Sequence, residues 1–193
     1  MKRAPELRDL SDHHHRGLVQ ARRLRMAATG DEANLPEETA EAFLGFWQEG
    51  TTTHFREEEE VLLPVLARYR EDLLGRKPVV EMLLQHARIR GLVMGLSDEV
   101  KVGGVRPERL GSIGELLETH IRLEEREVFP MVEEALPEEA LREVAARLEA
   151  IKTQSHAEPW VPAKGLSYDP LPGPGDSEGG GYDWPSRSSP RKP

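Results

Sequence analysis

The chain has 193 residues, a formal net charge of −9 and no cysteine. Without cysteine, disulfides, iron–sulfur ligation and thiolate catalysis are excluded, and a metal site must use His, carboxylate or Tyr ligands. The acidic balance argues against nucleic acid as a partner, because phosphate binding requires a basic face. The sequence shows neither a signal peptide nor the roughly 18 consecutive apolar residues of a membrane helix, which indicates a soluble cytoplasmic protein without a membrane partner.

The first half of the chain predicts two helices. The first begins near Ser11, a good N-cap, or a few residues earlier, and it ends at about Ala28. The second extends from about Pro36 to Leu74. Pro64 removes a backbone donor within this second helix, and we expect a bend there.

The second half of the chain predicts three more helices, and no alternating strand pattern of useful length is present. The third helix extends from about Pro78 to Val100 and the fourth from Pro107 to about Ala135. A shorter fifth helix begins within residues 136–139 and ends near residue 152. The fold class is therefore predicted to be all-α.

Residues 1–155 are predicted to form the helical domain, and residues 156–193 a disordered C-terminal tail. The tail is rich in Pro, Gly, Ser and charge, and cannot bury enough apolar surface to offset the entropy of ordering. Its aromatic residues are interpreted as decoration of a disordered segment, with docking on a partner or on the helices as the alternative; they are Trp160, Tyr168, Tyr182 and Trp184.

Three histidines are consecutive in the first helix, and helical periodicity separates them. At about 100° per residue, His14 shares a face with Leu10 and Leu18, four positions before and after it. His13 lies at the edge of this apolar stripe, and His15 lies well off it. We therefore expect His14 to be the inward residue, with His13 or His15 as alternatives if the register slips by one position.

The other three long helices each place one His on an apolar face. His54 lies on such a face with Glu58, His86 lies on that of the third helix, and His120 lies with Glu124 on that of the fourth. The apolar residues that define these faces include Trp47, Val61, Val65, Met82, Ile89, Leu117 and Met131. A buried carboxylate is costly unless it is neutralised or paired, and a metal ion is one way to do that.

The spacing of these residues favours a site for two metal ions. Residues at i and i+4 lie on one helix face, about 5–6 Å apart at Cβ, so a His and a Glu can converge on the same ion. Four imidazoles and two carboxylates leave open positions on two divalent ions, which bridging carboxylates could hold roughly 3.5–4 Å apart. Imidazole and carboxylate ligands suit iron, manganese or zinc.

An internal repeat strengthens this interpretation. Residues 54–64 align with residues 120–130 at a constant offset, and His, Arg, Glu-Glu and Pro match in register. A single His-x-x-x-Glu in a Glu-rich helix would be expected by chance on a solvated face. Two copies in register, each on an apolar face, favour a shared centre.

This pattern resembles the hemerythrin-like family, also called the HHE cation-binding domain, over about residues 7 to 135. The family pattern is His on helix one, His-x-x-x-Glu on helix two, His on helix three and His-x-x-x-Glu on helix four. The resemblance implies an up-down-up-down four-helix bundle with a non-haem di-iron centre bridged by two Glu. The implied iron ligands, with manganese or zinc as alternative metals, are His14, His54, Glu58, His86, His120 and Glu124.

The chain departs from the oxygen-carrying members of that family. Those proteins have a second His one turn after the third-helix ligand, where this chain has Arg90, and an Asp at a different spacing from that of Glu124. The ligand set resembles that of the iron-repair and iron-sensing branches, which argues against reversible oxygen transport. Arg90 is expected either to pair with an inward carboxylate such as Glu127 or to cover the bundle as a solvated side chain.

Three functions stay open at this point. A binding or sensing protein would take oxygen, nitric oxide or peroxide at an open coordination position, or respond to iron supply. A di-iron enzyme would reduce peroxide or nitric oxide or deliver iron to damaged iron–sulfur proteins, although the repair branch often carries a cysteine that this chain lacks. A metal-free or zinc-only structural bundle is the third possibility.

Overall fold

The computed structural model describes residues 3–30 and 34–155, which are helical and contain no strand, as predicted. The helices are α1 (Arg8–Ala28), α2 (residues 36–70), α3 (Lys77–Val102), α4 (residues 107–135) and α5 (Glu138–Ser155). Short 3-10 turns precede α1 at Pro5–Leu7 and follow α2 at Glu71–Leu73. The predicted disordered tail at 156–193 lies outside the described residues. Among the described helices, none combines the length and apolar composition needed to cross a membrane.

The start of α1 agrees with the predicted start near Ser11 or a few residues earlier. It begins at Arg8, because the 3-10 turn leads directly into it, and Ser11 is therefore not its N-cap. α2 ends at Arg70 rather than Leu74, since Arg70 leaves helical geometry with φ −147° and a tighter 3-10 turn follows. The bounds of α4 agree with the prediction.

α2 and α4 contain π-helical segments at equivalent positions of the repeat, Glu58–Leu62 and Glu124–Val128. In each, the N–H of the residue after the segment reaches the carbonyl of the Glu that opens it. Each segment ends two residues before a proline, Pro64 or Pro130. In a regular α-helix the proline ring would clash with the carbonyl four residues earlier. The wider π turn relieves that clash, which allows the helix to continue through Pro64 and Pro130.

The π turns shift the inward register by one residue. Met131, which uninterrupted periodicity places on the core face, is only half-buried, whereas Val128 and Val132 are fully buried. Glu127, on the same face as Met131 in a regular helix, is exposed. An extra residue per turn rotates everything after Glu124 backward by about 100°.

The first four helices form a closed ring of contacts. α1 packs against α2 and α4, and α3 also packs against α2 and α4. α1 and α4 pack closely against each other. A Cβ atom on Gly114 would lie only 2.7 Å from the Ala21 carbonyl oxygen. α5 packs outside this ring, against the Pro5–Leu7 turn and the second half of α2.

Two apolar clusters fill the interior. The Leu7 cluster includes Leu7, Leu10, Leu62, Val65, Val79, Met82, Phe129 and Val132. The Leu24 cluster includes Ala21, Leu24, Phe43, Phe55, Ile89, Leu96, Leu110 and Ile113. In each of the four helices, the inward histidine falls between residues of the two clusters. A layer of buried polar side chains therefore separates two hydrophobic layers.

Candidate metal centre

The six residues predicted from the sequence come together in this polar layer. Each is at most 3% exposed. Their nitrogen and oxygen atoms form two groups that could each hold a metal ion, with all ligand atoms of a group within 4.8 Å of one another. The first group is His14, His54, Glu58 and Glu124, and the second is Glu58, His86, His120 and Glu124. Both carboxylates therefore belong to both groups.

The first group is built from α1, α2 and α4. His14 Nε2 lies 2.9 Å from His54 Nε2 and 3.0 Å from Glu124 Oε2. His54 Nε2 lies 3.4 Å from Glu58 Oε1, one helical turn along α2. The imidazole nitrogens and one oxygen of each carboxylate thus face the same point.

The second group uses the other oxygen of each carboxylate. His86 Nε2 lies 3.2 Å from Glu58 Oε2 and 3.5 Å from Glu124 Oε1. His120 Nε2 lies 3.0 Å from Glu124 Oε1. Because each carboxylate directs one oxygen to each group, both carboxylates could contribute a ligand atom to each of two ions.

The buried polar atoms of the layer are arranged to coordinate a metal ion rather than to form hydrogen bonds with one another. Both oxygens of Glu58 and of Glu124 are buried without a hydrogen-bond partner among the described residues, as are Nε2 of His86 and of His120. The imidazole nitrogens near these oxygens approach without hydrogen-bond geometry. Unpaired buried polar atoms are costly and rare, and coordination of a cation would satisfy all of these atoms at once.

The histidines divide into two electrostatic pairs. Burial lowers the pKa of His120 to about 4 and that of His54 well below its usual value, so both rings are neutral at pH 7. Burial acts in the same sense on the other two rings, but contacts with Glu124 and neighbouring carboxylates outweigh it. They raise the pKa of His14 to about 9 and that of His86 to about 11.

The pKa values of the two shared carboxylates are shifted in opposite directions. Burial and the nearby charge of Glu124 raise the pKa of Glu58 to about 7. Burial would also raise the pKa of Glu124, but the imidazoles of His120, His14 and His86 hold it well below its usual range. Protons on His14 and His86 thus balance the buried negative charge where a cation would otherwise do so.

Metal uptake at pH 7 is expected to release about two to three protons per chain. His14 and His86 carry Nε2 protons that a cation displaces, since the pKa values of both rings lie above 7, and Glu58, with a pKa of about 7, is about half protonated. Apparent affinity should therefore fall on acidification and rise with pH, most steeply below about 9, where both rings must lose a proton. Calorimetric titration with Zn²⁺ in buffers of different ionisation enthalpy counts the protons. A His86→Gln variant should release about one fewer, and uptake without proton release would contradict the assignment.

The other two histidines of the triplet lie outside both groups. His15 is exposed. His13 is buried, and its ring stacks on that of His54 with centroids 4.5 Å apart and on that of Phe46 at 5.3 Å. Burial lowers the pKa of His13 to about 4, so this ring is also neutral at pH 7. Periodicity placed His13 only at the edge of the stripe and did not predict this contact.

Two further glutamates accept hydrogen bonds from Nδ1 of histidines in the two groups. Nδ1 of His86 donates to Glu59 and Nδ1 of His14 donates to Glu125, both at 2.7 Å. Arg90 pairs with a carboxylate, as one of the two predicted alternatives has it, at 2.8 Å. The partner is Glu59 and not Glu127, which the π turn carries to the surface. Glu59 and Glu125 are the second members of the two Glu-Glu pairs. Their equivalent positions in the internal repeat are the sequence feature from which this role could have been predicted.

A small cavity adjoins the two groups. Its volume is about 10 Å³, roughly the space of one water molecule. Its walls include the rings of His14, His54 and His120 together with apolar side chains. The remaining lining residues are His13, Gly17, Phe46, Thr51, Phe55, Leu117 and Ile121.

The family comparison agrees with this geometry. A family model described as the hemerythrin HHE cation binding domain matches residues 6–132, which is more than half of the chain and includes both groups. Searches of curated proteins and of solved structures found no match. Membership implies metal binding, and two His/Glu groups are present that could provide it. The chain therefore belongs to the hemerythrin HHE cation-binding domain family.

Proposed function

We propose that this protein binds two iron ions in the polar layer and takes a small ligand such as nitric oxide, oxygen or peroxide beside them. The observation that carries the proposal is the sharing of two fully buried carboxylates, Glu58 and Glu124, by two adjacent ligand groups. His14 and His54 would complete the first ion's protein ligands, and His86 and His120 those of the second.

The proposal includes an up-down-up-down bundle of α1 to α4, within one domain of residues 1–155. The order of the apolar clusters along each helix supports it. α1 and α3 pass from the Leu7 cluster to the Leu24 cluster, whereas α2 and α4 pass from the Leu24 cluster to the Leu7 cluster. Alternating direction brings one histidine per helix to the same level.

The proposed binding of a small ligand requires iron rather than zinc. Each ion would receive two imidazole nitrogens and two bridging carboxylate oxygens. Non-haem iron is bound by such mixed sets and keeps open positions, whereas structural zinc is satisfied by four tetrahedral ligands. Iron would supply redox activity and an open coordination position for a small ligand.

The cavity limits the ligand to a very small molecule. A space of about 10 Å³ admits a molecule near the size of water. The apolar side chains of Leu117 and Ile121 in its wall favour an uncharged diatomic molecule. Since His54 and His120 also line it, a molecule there would lie next to ligands of both ions.

A methyl group at position 17 is expected to weaken ligand binding roughly tenfold or more without removing iron. An added Cβ in Gly17→Ala would lie 2.8 Å from Ile121 Cδ1, and the displaced Ile121 side chain would occupy the cavity. Gly91→Ala is the matched control, because a Cβ there meets nothing within 4 Å. Nitric oxide titration of the iron-loaded proteins measures the effect, and wild-type nitric oxide affinity in Gly17→Ala would rule out this cavity as the ligand site.

The absorption spectrum of the iron-loaded protein tests the function. A di-ferric centre should absorb in the near ultraviolet, and the spectrum should change on addition of azide or nitric oxide. Turnover assays with hydrogen peroxide and nitric oxide then distinguish a binding or sensing protein from an enzyme. Ligand-induced change without sustained turnover supports binding or sensing, sustained turnover supports the enzyme, and iron-loaded protein that shows neither contradicts the proposal.

A further inference from the structure

Each ligand group contains one histidine whose Nδ1 is hydrogen-bonded to a carboxylate and one whose Nδ1 is not. Nδ1 of His14 and Nδ1 of His86 each donate a 2.7 Å hydrogen bond to a carboxylate outside the groups. Nδ1 of His54 and Nδ1 of His120 are buried and have no hydrogen-bond partner among the described residues. All four rings therefore belong to ligand groups, but only His14 and His86 are hydrogen-bonded at Nδ1 among the described residues.

His86 is enclosed by a closed set of four contacts. Its Nδ1 donates to Glu59, and Arg90 donates two hydrogen bonds to the same carboxylate, at 2.8 and 3.0 Å. The Arg90 guanidinium lies over the Phe55 ring, 5.2 Å from its centroid. Phe55 in turn stacks on His86, with centroids 3.8 Å apart. The ring is fixed by a hydrogen bond at its edge and by stacking on its face.

His14 is enclosed in the same way by different residues. Its Nδ1 donates to Glu125, which also accepts hydrogen bonds from Arg3 and Ser11, both at 2.7 Å. The Arg3 guanidinium lies 5.0 Å from the centroid of Phe129. Phe129 stacks on His14 with centroids 5.3 Å apart and an interplanar angle of 13°.

The internal repeat accounts for only part of this similarity. The two glutamates occupy equivalent positions, but the arginines and phenylalanines do not. Arg90 follows His86 on the same helix, whereas Arg3 precedes α1 altogether. Phe55 belongs to α2 one residue after His54, and Phe129 belongs to α4 after the π segment. Two unrelated sets of side chains therefore converge on one arrangement around the same kind of ring.

We propose that Glu59 and Glu125 are positioning residues that aim Nε2 of His86 and His14 at the ions and set iron retention and reduction potential. A carboxylate behind a metal-bound imidazole fixes its tautomer and makes it a stronger donor. A stronger donor favours the ferric state and so lowers the reduction potential. The flanking arginines hold both carboxylates in place by hydrogen bonds. This inference rests on the proposed di-iron function.

Charge-removing variants test the inference in the iron-loaded protein. Glu59→Gln and Glu125→Gln keep the size of the side chain and an acceptor oxygen but remove the charge. Each is expected to raise the reduction potential of the centre and to lose iron to a chelator roughly 10- to 100-fold faster. Glu60→Gln is the matched control, since Glu60 is adjacent, carries the same charge and pairs with Arg56 on the surface.

Two outcomes would overturn the positioning role. One is wild-type potential and iron retention in both Gln variants. The other is a lower melting temperature of the metal-free variants with an unchanged potential after loading, which a purely structural role would produce.

Wild-type protein provides a test that does not depend on variants folding. In the Zn²⁺-loaded protein, imidazole NMR should show slowly exchanging, hydrogen-bonded Nδ1 protons on His14 and His86 but not on His54 and His120. Four equivalent rings would overturn the inference. A wild-type chain that holds no iron would instead contradict the di-iron function itself, so the two failures are distinguishable.

Discussion

Replacing either shared carboxylate, by Glu58→Ala or Glu124→Ala, is expected to abolish tight binding of both iron ions, leaving less than one per chain. Each carboxylate directs one oxygen to each ligand group, so one substitution removes a ligand from both ions. It also removes the negative charge that draws the two cations together in a buried layer. Iron content per chain after desalting is the measurement.

Variants of a single histidine, which alter only one ligand group, provide the comparison with the shared-carboxylate variants. His54→Ala removes a ligand from one group only, so the ion of the other group should be retained more strongly than in Glu58→Ala. Glu127→Ala is the matched control, because Glu127 lies in the same π segment as Glu124 but is exposed. One tightly held ion in both shared-carboxylate variants would be inconsistent with bridging.

Metal loading is expected to raise the melting temperature substantially. Buried oxygens and nitrogens of the polar layer have no hydrogen-bond partner within residues 3–30 and 34–155, and such atoms destabilise the fold unless a cation binds them. A ligand that binds only the folded state at about 1,000 times its Kd stabilises it by about 4 kcal/mol. For a domain of this size that corresponds to roughly 8–16 °C.

Calorimetry of the metal-free and loaded proteins measures this shift. His120→Ala should lose a substantial part of it, because the second group then lacks one of its two imidazoles while the first group is unchanged. Equal melting temperatures with and without metal, together with unchanged stability in His120→Ala, would favour the metal-free structural bundle over the metal centre.

The helices and the six converging residues were predictable because local patterns determine them. Apolar stripes fixed which face of each helix is buried, and glycines and prolines marked the ends. That pattern selected His14 over His13 and His15, and His14 is the member of the triplet that lies in a ligand group. It also selected Glu58 and Glu124 from a Glu-rich chain.

What periodicity missed depends on helix irregularity and on contacts between helices. Counting at 100° per residue placed Glu127 inward and made it one candidate partner of Arg90, but the π turn that opens at Glu124 rotates Glu127 to the surface. The partner of Arg90 is Glu59 on another helix, which depends on how α2 and α3 are rotated about their axes. Arg3 could not be placed at all, since it precedes the first helix.

Metal analysis of the purified chain after anaerobic iron loading and desalting tests the di-iron claim most directly. Two ligand groups that share Glu58 and Glu124 predict two iron ions per chain. Less than one iron per chain under these conditions would contradict the proposed centre.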